Sequence, residues 1–337
     1  MKKRKIAIWI PTLGACLLSL LVLVRLLGGE GTETQVTAKG NDSYKTFLFA
    51  GVDEAGENTD MLTLCSFNTE SGSVHFVQIP RDTFYRTDKG VGKINRIYRA
   101  NVSKYGKKRA AEELMAEMEK AFSIPIDGYV VFDFDTVKDI VSLVGGVPVN
   151  VPYDISYFDG KTGEERIIPQ GERLLNGEEA VAFVRHRKSY AEGDLGRLDA
   201  QLRFLSGLST VLPKLKKVDR AVTIYQKILP NLLTNLTEKD IMEVMMAYLK
   251  KRNALSVCFM RLPGEACYSD GAWYYVLYRE ATEAMLRREA GLSPTFDPSR
   301  RFTDDKRETF TNIYFTEGRL YRVYTPEEVT NKRILHS

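Results

Sequence analysis

KTFLFAGVDEAGENTDMLTLCSFNTESGSVHFVQIPRD runs from Lys45 to Asp82. It divides into three apolar runs, KTFLFAGV, MLTLCSFN and VHFVQIP, separated by the polar DEAGENTD and TESGS. Short runs rich in Val, Phe, Ile and Thr, bounded by Gly, Asp, Asn and Ser, are strands. Connections this short favour antiparallel neighbours. Asp53 then closes the first strand and Asp60 opens the second, so both lie at one end of the sheet. The third strand runs back toward that end and delivers Arg81 and Asp82 there. Two carboxylates and an Arg-Asp pair gather at one rim although the chain spreads them apart. Such a rim is site-like; the plainer reading is that loop ends are commonly charged.

Beyond this meander, GKINRIYRAN (Gly92 to Asn101) leads into a helical stretch, Lys107 to Phe122, rich in Ala, Glu, Met and Lys. Gly92-Lys93 is not a phosphate-binding P-loop, because Ile94 stands where Ser or Thr is needed and the GxxxxGK[ST] spacing is absent. IDGYVVFDF predicts a strand, DTVKDIVSLV a helix ended by Gly145-Gly146, and VPVNVP a strand. GERLLNGEEAVAFVRHR predicts a short helix entering a strand over Ala180 to Arg187. TIYQKILPNLLTNLTEKDIMEVMMAYLKK reads as two helices, ALSVCFMRLPGEA as a late strand, Trp273 to Arg288 as a closing helix, and TNIYFTEGRLYRVY as a small hairpin. Strands and helices alternate without a strict βαβ rhythm. The expected fold is α/β, α+β-like in its order, a sandwich with a mixed central β-sheet flanked by helices.

FVRHRKSYAEGDLGRLDAQLRFL, Phe183 to Leu205, concentrates fixed positive charge beside a carboxylate. On the expected strand, alternation puts Arg185 and Arg187 on one face. Asp194 sits at a helix start, and Leu198, Leu202 and Leu205 mark that helix's buried stripe. Arg197 and Gln201, four apart, share another face. Strand and helix together can converge several donors, and guanidinium forks match phosphate oxygens in shape and charge. The bland alternative is a solvated surface with ordinary salt bridges.

The bulk numbers set the frame. The chain has 337 residues, 44% hydrophobic and 27% charged, with a net charge of +4. That suits one large domain or two modest ones. It gives no case for nucleic-acid binding, and no zinc-finger, helix-turn-helix or basic-arm signal stands out. Lys2, Lys3, Arg4 and Lys5 precede an uncharged apolar run from Ile6 to Val24, 19 residues long, close to the ~20 that span a bilayer. The basic cluster keeps the N-terminus cytoplasmic and places the remainder outside. A cleavable signal peptide is the rival, but a small-residue cleavage site is not evident near Leu26 to Gly29. GGEGTETQVTAKGNDS reads as a flexible linker. The expected organisation is a basic tail over 1–5, a transmembrane helix over 6–27, a linker over 28–43, an extracytoplasmic domain over 44–290 and an extension over 291–337. Cys258 and Cys267 either pair in that oxidising setting or stay as separate thiols.

The order GVD…TD, IPRD, KIN, LVGGVPV and the VRHR–GDLGR–Q block resembles the LytR-CpsA-Psr family of cell-wall ligases. The resemblance is strong over Tyr44 to Leu208 and extends toward Arg288. It implies magnesium-assisted transfer of a glycopolymer, a teichoic acid, capsular polysaccharide or related wall polymer, from a polyprenyl diphosphate carrier to peptidoglycan. The usual acceptor is a muramic acid hydroxyl, and the link formed is a phosphodiester. It implies that Asp53 and Asp60 hold magnesium, a hard cation suited to oxygen ligands beside a diphosphate. It implies a diphosphate clamp of Arg81, Arg185, Arg187 and Arg197, with Lys93 facing the same head group and Gln201 beside the arginines. Asp82 either orients Arg81 or joins the catalytic set. Asp82 and Asp194 are the two expected proton acceptors. The lipid needs an apolar tunnel, with candidate walls in YVVFDF and DIVSLVGGV. Phosphoryl transfer asks mainly for positioning and charge neutralisation, which this residue set supplies.

One departure bears on the site. Where the family commonly has an arginine two positions before the second aspartate, this chain has Asn58. A cationic contact is replaced by a short polar donor. His186, between the two arginines, reads as structural. Two other functions use the same head-group clamp: a polyprenyl-phosphate-binding scaffold without turnover, and a hydrolase that cleaves the diphosphate with water. A regulatory role through direct DNA contact does not suit an outward-facing domain.

Overall fold

The structure is a computed structural model and describes residues 43–53, 55–87, 90–160, 162–190, 194–211, 227–228, 231–237, 240, 243–244, 247, 256–269, 271–294, 323–325 and 328–329. The expected meander is present. β1 (Tyr44–Val52), β2 (Thr59–Asn68) and β3 (Ser73–Gln78) pair antiparallel, Tyr44 facing Asn68 and Phe67 facing Val74. β6 (Gly128–Phe132) lies parallel to β1, and β12 (Ser256–Arg261) parallel to β3. The short strands β11 (Leu233–Thr234) and β15 (Val323–Tyr324) add antiparallel at the two sides, giving the order β11-β6-β1-β2-β3-β12-β15. The central sheet is therefore mixed, as the sequence predicts.

Its strands read as nearly unbroken apolar runs because both faces are covered. Phe47, Phe49, Phe67, Val74 and Phe76 point to one face, under α2 (Phe134–Val144), α3 (Gly177–Arg185) and α4 (Asp194–Val211), which supply Val137, Ile140, Phe183, Leu202 and Leu205. Leu48, Ala50, Leu62, Leu64 and Val77 point to the other, against α1 (Arg96–Phe122) and α5 (Arg279–Arg288) through Leu114, Met118, Phe122, Met285 and Leu286. Each fully buried Leu, Val or Phe contributes roughly 1.5–3 kcal/mol, so the two cores fix the sheet between helical layers. Leu198, Leu202 and Leu205 are buried as expected. The helix of DTVKDIVSLV ends with Gly145 in the left-handed conformation (φ 84°), its N–H bonded to Ser142 O.

Several expectations are corrected. The strand over Ala180 to Arg187 is instead α3. Asn176 accepts a hydrogen bond from Glu179 N–H while the Glu179 side chain accepts from Asn176 N–H, a complete capping box that starts a helix. Val181, Phe183 and Val184 are buried on that helix. The preceding GERLL is a strand, β10 (Gly171–Leu175), paired with β7 (Val147–Val151). α1 begins at Arg96 rather than Lys107; Ile94 and Tyr98 are fully buried and seat its start. Gly106 (φ 79°, ψ 167°) interrupts it, so 96–105 is a distinct helical segment. The closing helix is shorter than expected: Trp273 to Leu277 belong to β14 (Ala272–Leu277), hairpinned onto β13 (Gly264–Ser269) through a turn that uses Gly271 at φ 78°. Two further hairpins escaped the sequence reading, β4 (Phe84–Thr87) with β5 (Gly90–Lys93), and β8 (Ile155–Asp159) with β9 (Glu164–Ile168).

The basic tail, anchor and most of the linker lie outside the described residues, as do the helices expected beyond Leu212 except for isolated positions, and the 311–324 hairpin apart from Val323–Tyr324. Among the described residues no helix is long and apolar enough to cross a membrane. Cys258 is a free thiol.

Candidate active site

The loop after β1 is built around Asp53. Its N–H donates to Asn58 O at 3.0 Å. Its carboxylate accepts from the Glu57 N–H at 2.9 Å and the Asn58 N–H at 3.3 Å on Oδ1, and from Asn58 Nδ2 at 2.7 Å on Oδ2. Partial burial pulls the Asp53 pKa upward, but the Asn58 amide, the two backbone donors and the Arg99 charge together outweigh it and hold the carboxyl below the ordinary value. Asn58, the departure noted in the sequence, is thus a direct partner of the first carboxylate.

Asp60 is the second residue of β2 and receives side chains from two distant elements. Arg81 Nη1 lies 2.5 Å from Asp60 Oδ1. From α4, Arg197 Nη1 approaches the same oxygen at 3.6 Å, while Arg197 Nη2 and Gln201 Nε2 donate to the Asp60 carbonyl at 3.4 and 3.5 Å. Arg197 is only 1% exposed, the largest fully buried side chain described. Sharing a helix face, predicted for Arg197 and Gln201, is what brings both onto one strand residue.

A tight turn after β3 presents Arg81 and Asp82, with Thr83 N–H bonded to Pro80 O at 2.9 Å. Backbone bonds from Asn95 N–H to Arg81 O and from Tyr275 N–H to Asp82 O tie the turn to α1 and to β14. Lys93 Nζ, at the end of β5, lies 3.1 Å from Asp82 Oδ1, and Arg81 Nε lies 3.9 Å from it.

These groups line a polar cleft of about 360 Å³, with Asp53, Asn58, Asp60, Arg81, Asp82 and Lys93 on its walls and Asn95, Arg96, Arg99 and Arg187 completing them. Beside it lies an apolar cavity. Its walls are Phe49, Met61 and Phe76 of the sheet, Phe132, Phe134, Val137 and Ile140 around the start of α2, and Phe204, Leu205 and Leu208 of α4. Asp60 lines both spaces, and Gln201 lines the apolar one. The expected tunnel walls in YVVFDF and DIVSLVGGV therefore supply part of the lining, and the β1–β3 strands and α4 supply parts not foreseen.

Most of the predicted set converges around Asp60, but Arg185, Arg197 and Gln201 do not line the polar cleft: Arg197 is buried beneath it and Gln201 faces the apolar cavity. Arg187 reaches the cleft from the loop after α3. Arg185 does not line it. As the last residue of α3, it lays its guanidinium 4.8 Å from the centre of the Phe134 ring, on a wall of the apolar cavity. The two arginines do not share a strand face because there is no strand. Asp194 opens α4, and its side chain is outside those described. His186 is half-buried, its Nε2 2.8 Å from Ser189 Oγ; burial, with Lys188 nearby, holds its pKa below the ordinary value. It shapes the loop. Arg96 and Arg99 were quoted in GKINRIYRAN but given no role; the signal was their spacing of three, which puts both on one helix face.

Asp53 and Asp60 fit a magnesium site in donor type. Both are oxygen donors on one cleft, and Asp53 is held ionised. Among the described residues no group of three or more His, Cys, Asp or Glu is placed to hold a metal alone. A magnesium ion here would complete its shell with phosphate oxygens and water, its usual habit.

The site is thus a basic cleft that carries carboxylates and adjoins an apolar cavity. The chain belongs to the LytR_cpsA_psr family, whose model matches residues 26–290. It is 33% identical to the polyisoprenyl-teichoic acid–peptidoglycan teichoic acid transferase TagV of Bacillus subtilis, a match covering 57% of this chain and 49% of that relative. It is 32% identical to the transferase of the same description named TagU in Bacillus mycoides, covering 77% of this chain and 81% of the relative. The crystal structure of B. subtilis TagV superposes with a TM-score of 0.60 at 26% identity, over 76% of this chain and all of that one.

Proposed function

We propose that this protein is a membrane-anchored transferase that moves a glycopolymer from a polyprenyl diphosphate carrier to peptidoglycan. The observation that carries the reading is Asp60, one residue on the wall of both the apolar cavity and the polar cleft. A polyprenyl diphosphate has those two parts joined in that order. The names of the relatives add the reaction class, and the apolar run over 6–24 supplies an anchor.

On this reading the lipid occupies the apolar cavity and the diphosphate lies beyond Asp60, facing Arg81, Lys93 and Arg187. Arg197 and Gln201 hold the Asp60 strand in place from beneath. Arg185, over Phe134, meets the lipid-proximal phosphate by turning from the ring. Asp53 and Asp60 would hold a magnesium ion, which would supply charge neutralisation during phosphoryl transfer. An acceptor sugar hydroxyl attacks the sugar-linked phosphorus, the bond from that phosphorus to the bridging oxygen breaks, and polyprenyl phosphate leaves. Asp82 takes the hydroxyl proton, with Asp194 the other carboxylate able to do so. The product is a phosphodiester.

The test is incubation of the full chain with labelled polyprenyl diphosphate sugar, peptidoglycan oligomers and magnesium, with Arg197→Ala as control. Label on peptidoglycan supports the transferase. Label released only to water makes the protein a hydrolase, and tight binding without turnover makes it a scaffold.

A further inference from the structure

The cleft holds more positive charge than its carboxylates answer. Five cations line it, Arg81, Lys93, Arg96, Arg99 and Arg187, against Asp53, Asp60 and Asp82. The inner cations are engaged: Arg81 with Asp60, Lys93 with Asp82. The outer ones differ. Arg96 is exposed and has no ion-pair partner among the described residues. Arg99 pairs with Glu57, Nε to Oε2 3.3 Å, with both side chains about half exposed (59% and 46%), and its charge also acts on Asp53. A pair that open to water holds its cation weakly.

The local structure points these cations the same way. Arg96 and Arg99 are three apart on the first turns of α1 and share a face. That helix has no acidic residue in its first turn, and Asn95 makes no side-chain cap, so the positive end of its dipole is uncompensated on the cleft side. Gly106 then breaks the helix, and Lys107 folds back so that its Nζ lies 3.4 Å from where a Cβ on Gly56 would sit, against the loop that carries Asp53. Arg96 and Arg99 are therefore a second group of cations on the cleft wall, beside Arg81 and Lys93.

We propose that Arg96 and Arg99 form an anion subsite that reads a phosphate or carboxylate on the sugar chain of the donor, one or two sugars beyond the diphosphate. This rests on the transferase reading above and deepens it: the enzyme selects donors whose lipid-proximal sugars are acidic. Glu57 is the internal competitor that Arg99 exchanges for that anion. The inner cations bind the diphosphate of any donor and so cannot distinguish an acidic polymer from a neutral one; the outer pair can.

The test uses the full chain in detergent with magnesium and two synthetic polyprenyl diphosphate disaccharides, identical except for a phosphate on the distal sugar. Equilibrium binding and transfer to peptidoglycan oligomers are both measured. The wild type is expected to favour the phosphorylated donor by about tenfold, the scale of one or two charge-assisted hydrogen bonds at a partly screened site. The Arg96→Gln, Arg99→Gln double variant brings that ratio close to one, the double lysine variant keeps part of it, and Glu57→Gln raises it. Equal losses for both donors, or an unchanged ratio in the double glutamine variant, overturn the subsite. A change confined to the KM of peptidoglycan also overturns it, since the anion read is then the acceptor's. A tenfold ratio in binding with no transfer refutes the transferase reading and leaves the subsite standing.

Discussion

Gly196→Ala separates two opposed effects at the base of the cleft. Gly196 lies in the first turn of α4, where helix propensity alone favours alanine by about 1 kcal/mol. Packing argues the other way. A Cβ there would lie 2.4 Å from both Cβ and Cγ of Tyr190. Those atoms sit close to the backbone, so a change of rotamer cannot clear them; the residue itself must move by about 1 Å to reach normal contact. Tyr190 is wedged against Tyr153 and His186, with ring centroids 5.8 Å away in each case. Its N–H bonds Arg187 O at 3.1 Å, so movement of Tyr190 carries Arg187 with it. Overpacking of this kind costs about 1–3 kcal/mol, so the net effect is a loss of up to about 2 kcal/mol. A misplacement of about 1 Å costs activity on the order of 100-fold. Thermal unfolding and transfer of label to peptidoglycan are the two assays. The decisive comparison is the same substitution in a Tyr190→Ala background, where only propensity remains and Gly196→Ala becomes stabilising. If Gly196→Ala is stabilising and fully active in the wild-type background, the docking of Tyr190 on α4 does not position Arg187.

Other outcomes are expected across the site. Asn58→Ala removes the 2.7 Å donor to Asp53, so the Asp53 pKa, measured by NMR titration, rises; an unmoved value means that the backbone donors suffice. Because Asp53 is depressed in the fold, the stability it adds is fully present above its ordinary value of 3.8 and is lost as pH falls through the lower folded value; in Asn58→Ala that acid loss is smaller and is complete at higher pH. Arg197→Ala removes a buried cation from Asp60. The cost is at or below the roughly 3–5 kcal/mol of a broken buried pair, since Arg81 remains, and calorimetry with no loss of stability would refute the support role. Asp60→Ala moves the magnesium titration of activity to higher concentration; a wild-type titration curve removes Asp60 from the metal site. Leu205→Trp fills the apolar cavity and weakens binding of long-chain polyprenyl diphosphates while sparing a water-soluble diphosphate sugar, and equal binding of both sinks the lipid assignment.

The sheet was legible because its three-strand meander is local, with turns of Gly, Asp, Asn and Ser that permit little else. The rim followed from strand direction alone. The error over 180–187 has a physical origin. AVAFVRHR has apolar residues at spacings that suit a short strand or one face of a short helix, and periodicity cannot separate them at that length. The deciding information lay upstream, in the Asn176–Glu179 capping box, and the same misreading put Arg185 beside Arg187. Arg96 and Arg99 were missed for a different reason: their spacing of three has a meaning only if the helix starts before them, and the Ala, Glu, Met and Lys content pointed to a helix over Lys107 to Phe122 instead. The apolar cavity could be assigned only loosely, since a residue that lines a lipid space and one that fills a core are chemically alike.

The charge arrangement also explains why a cation belongs in the proposed reaction. Asp60 and Asp82 hold Arg81 and Lys93 at 2.5 and 3.1 Å, so a diphosphate entering alone must compete with those carboxylates for the same cations and lie close to negative groups. Unit charges about 4 Å apart interact by roughly 4 kcal/mol at an effective dielectric near 20, enough to cancel much of what the clamp offers. A divalent ion held by Asp53 and Asp60 would supply the charge that answers this repulsion. The same pairs keep the cleft ordered before substrate arrives, with Arg197 buried and Asp53 locked by its own loop. On the proposed reaction, the site stores its cations against carboxylates and would yield them to an anionic head. It follows that donor binding should depend steeply on magnesium in the wild type and much less in Asp60→Asn, where the carboxylate charge that the ion answers is gone. Equal magnesium dependence of binding in the two proteins would show that the inner pairs are not displaced by the substrate.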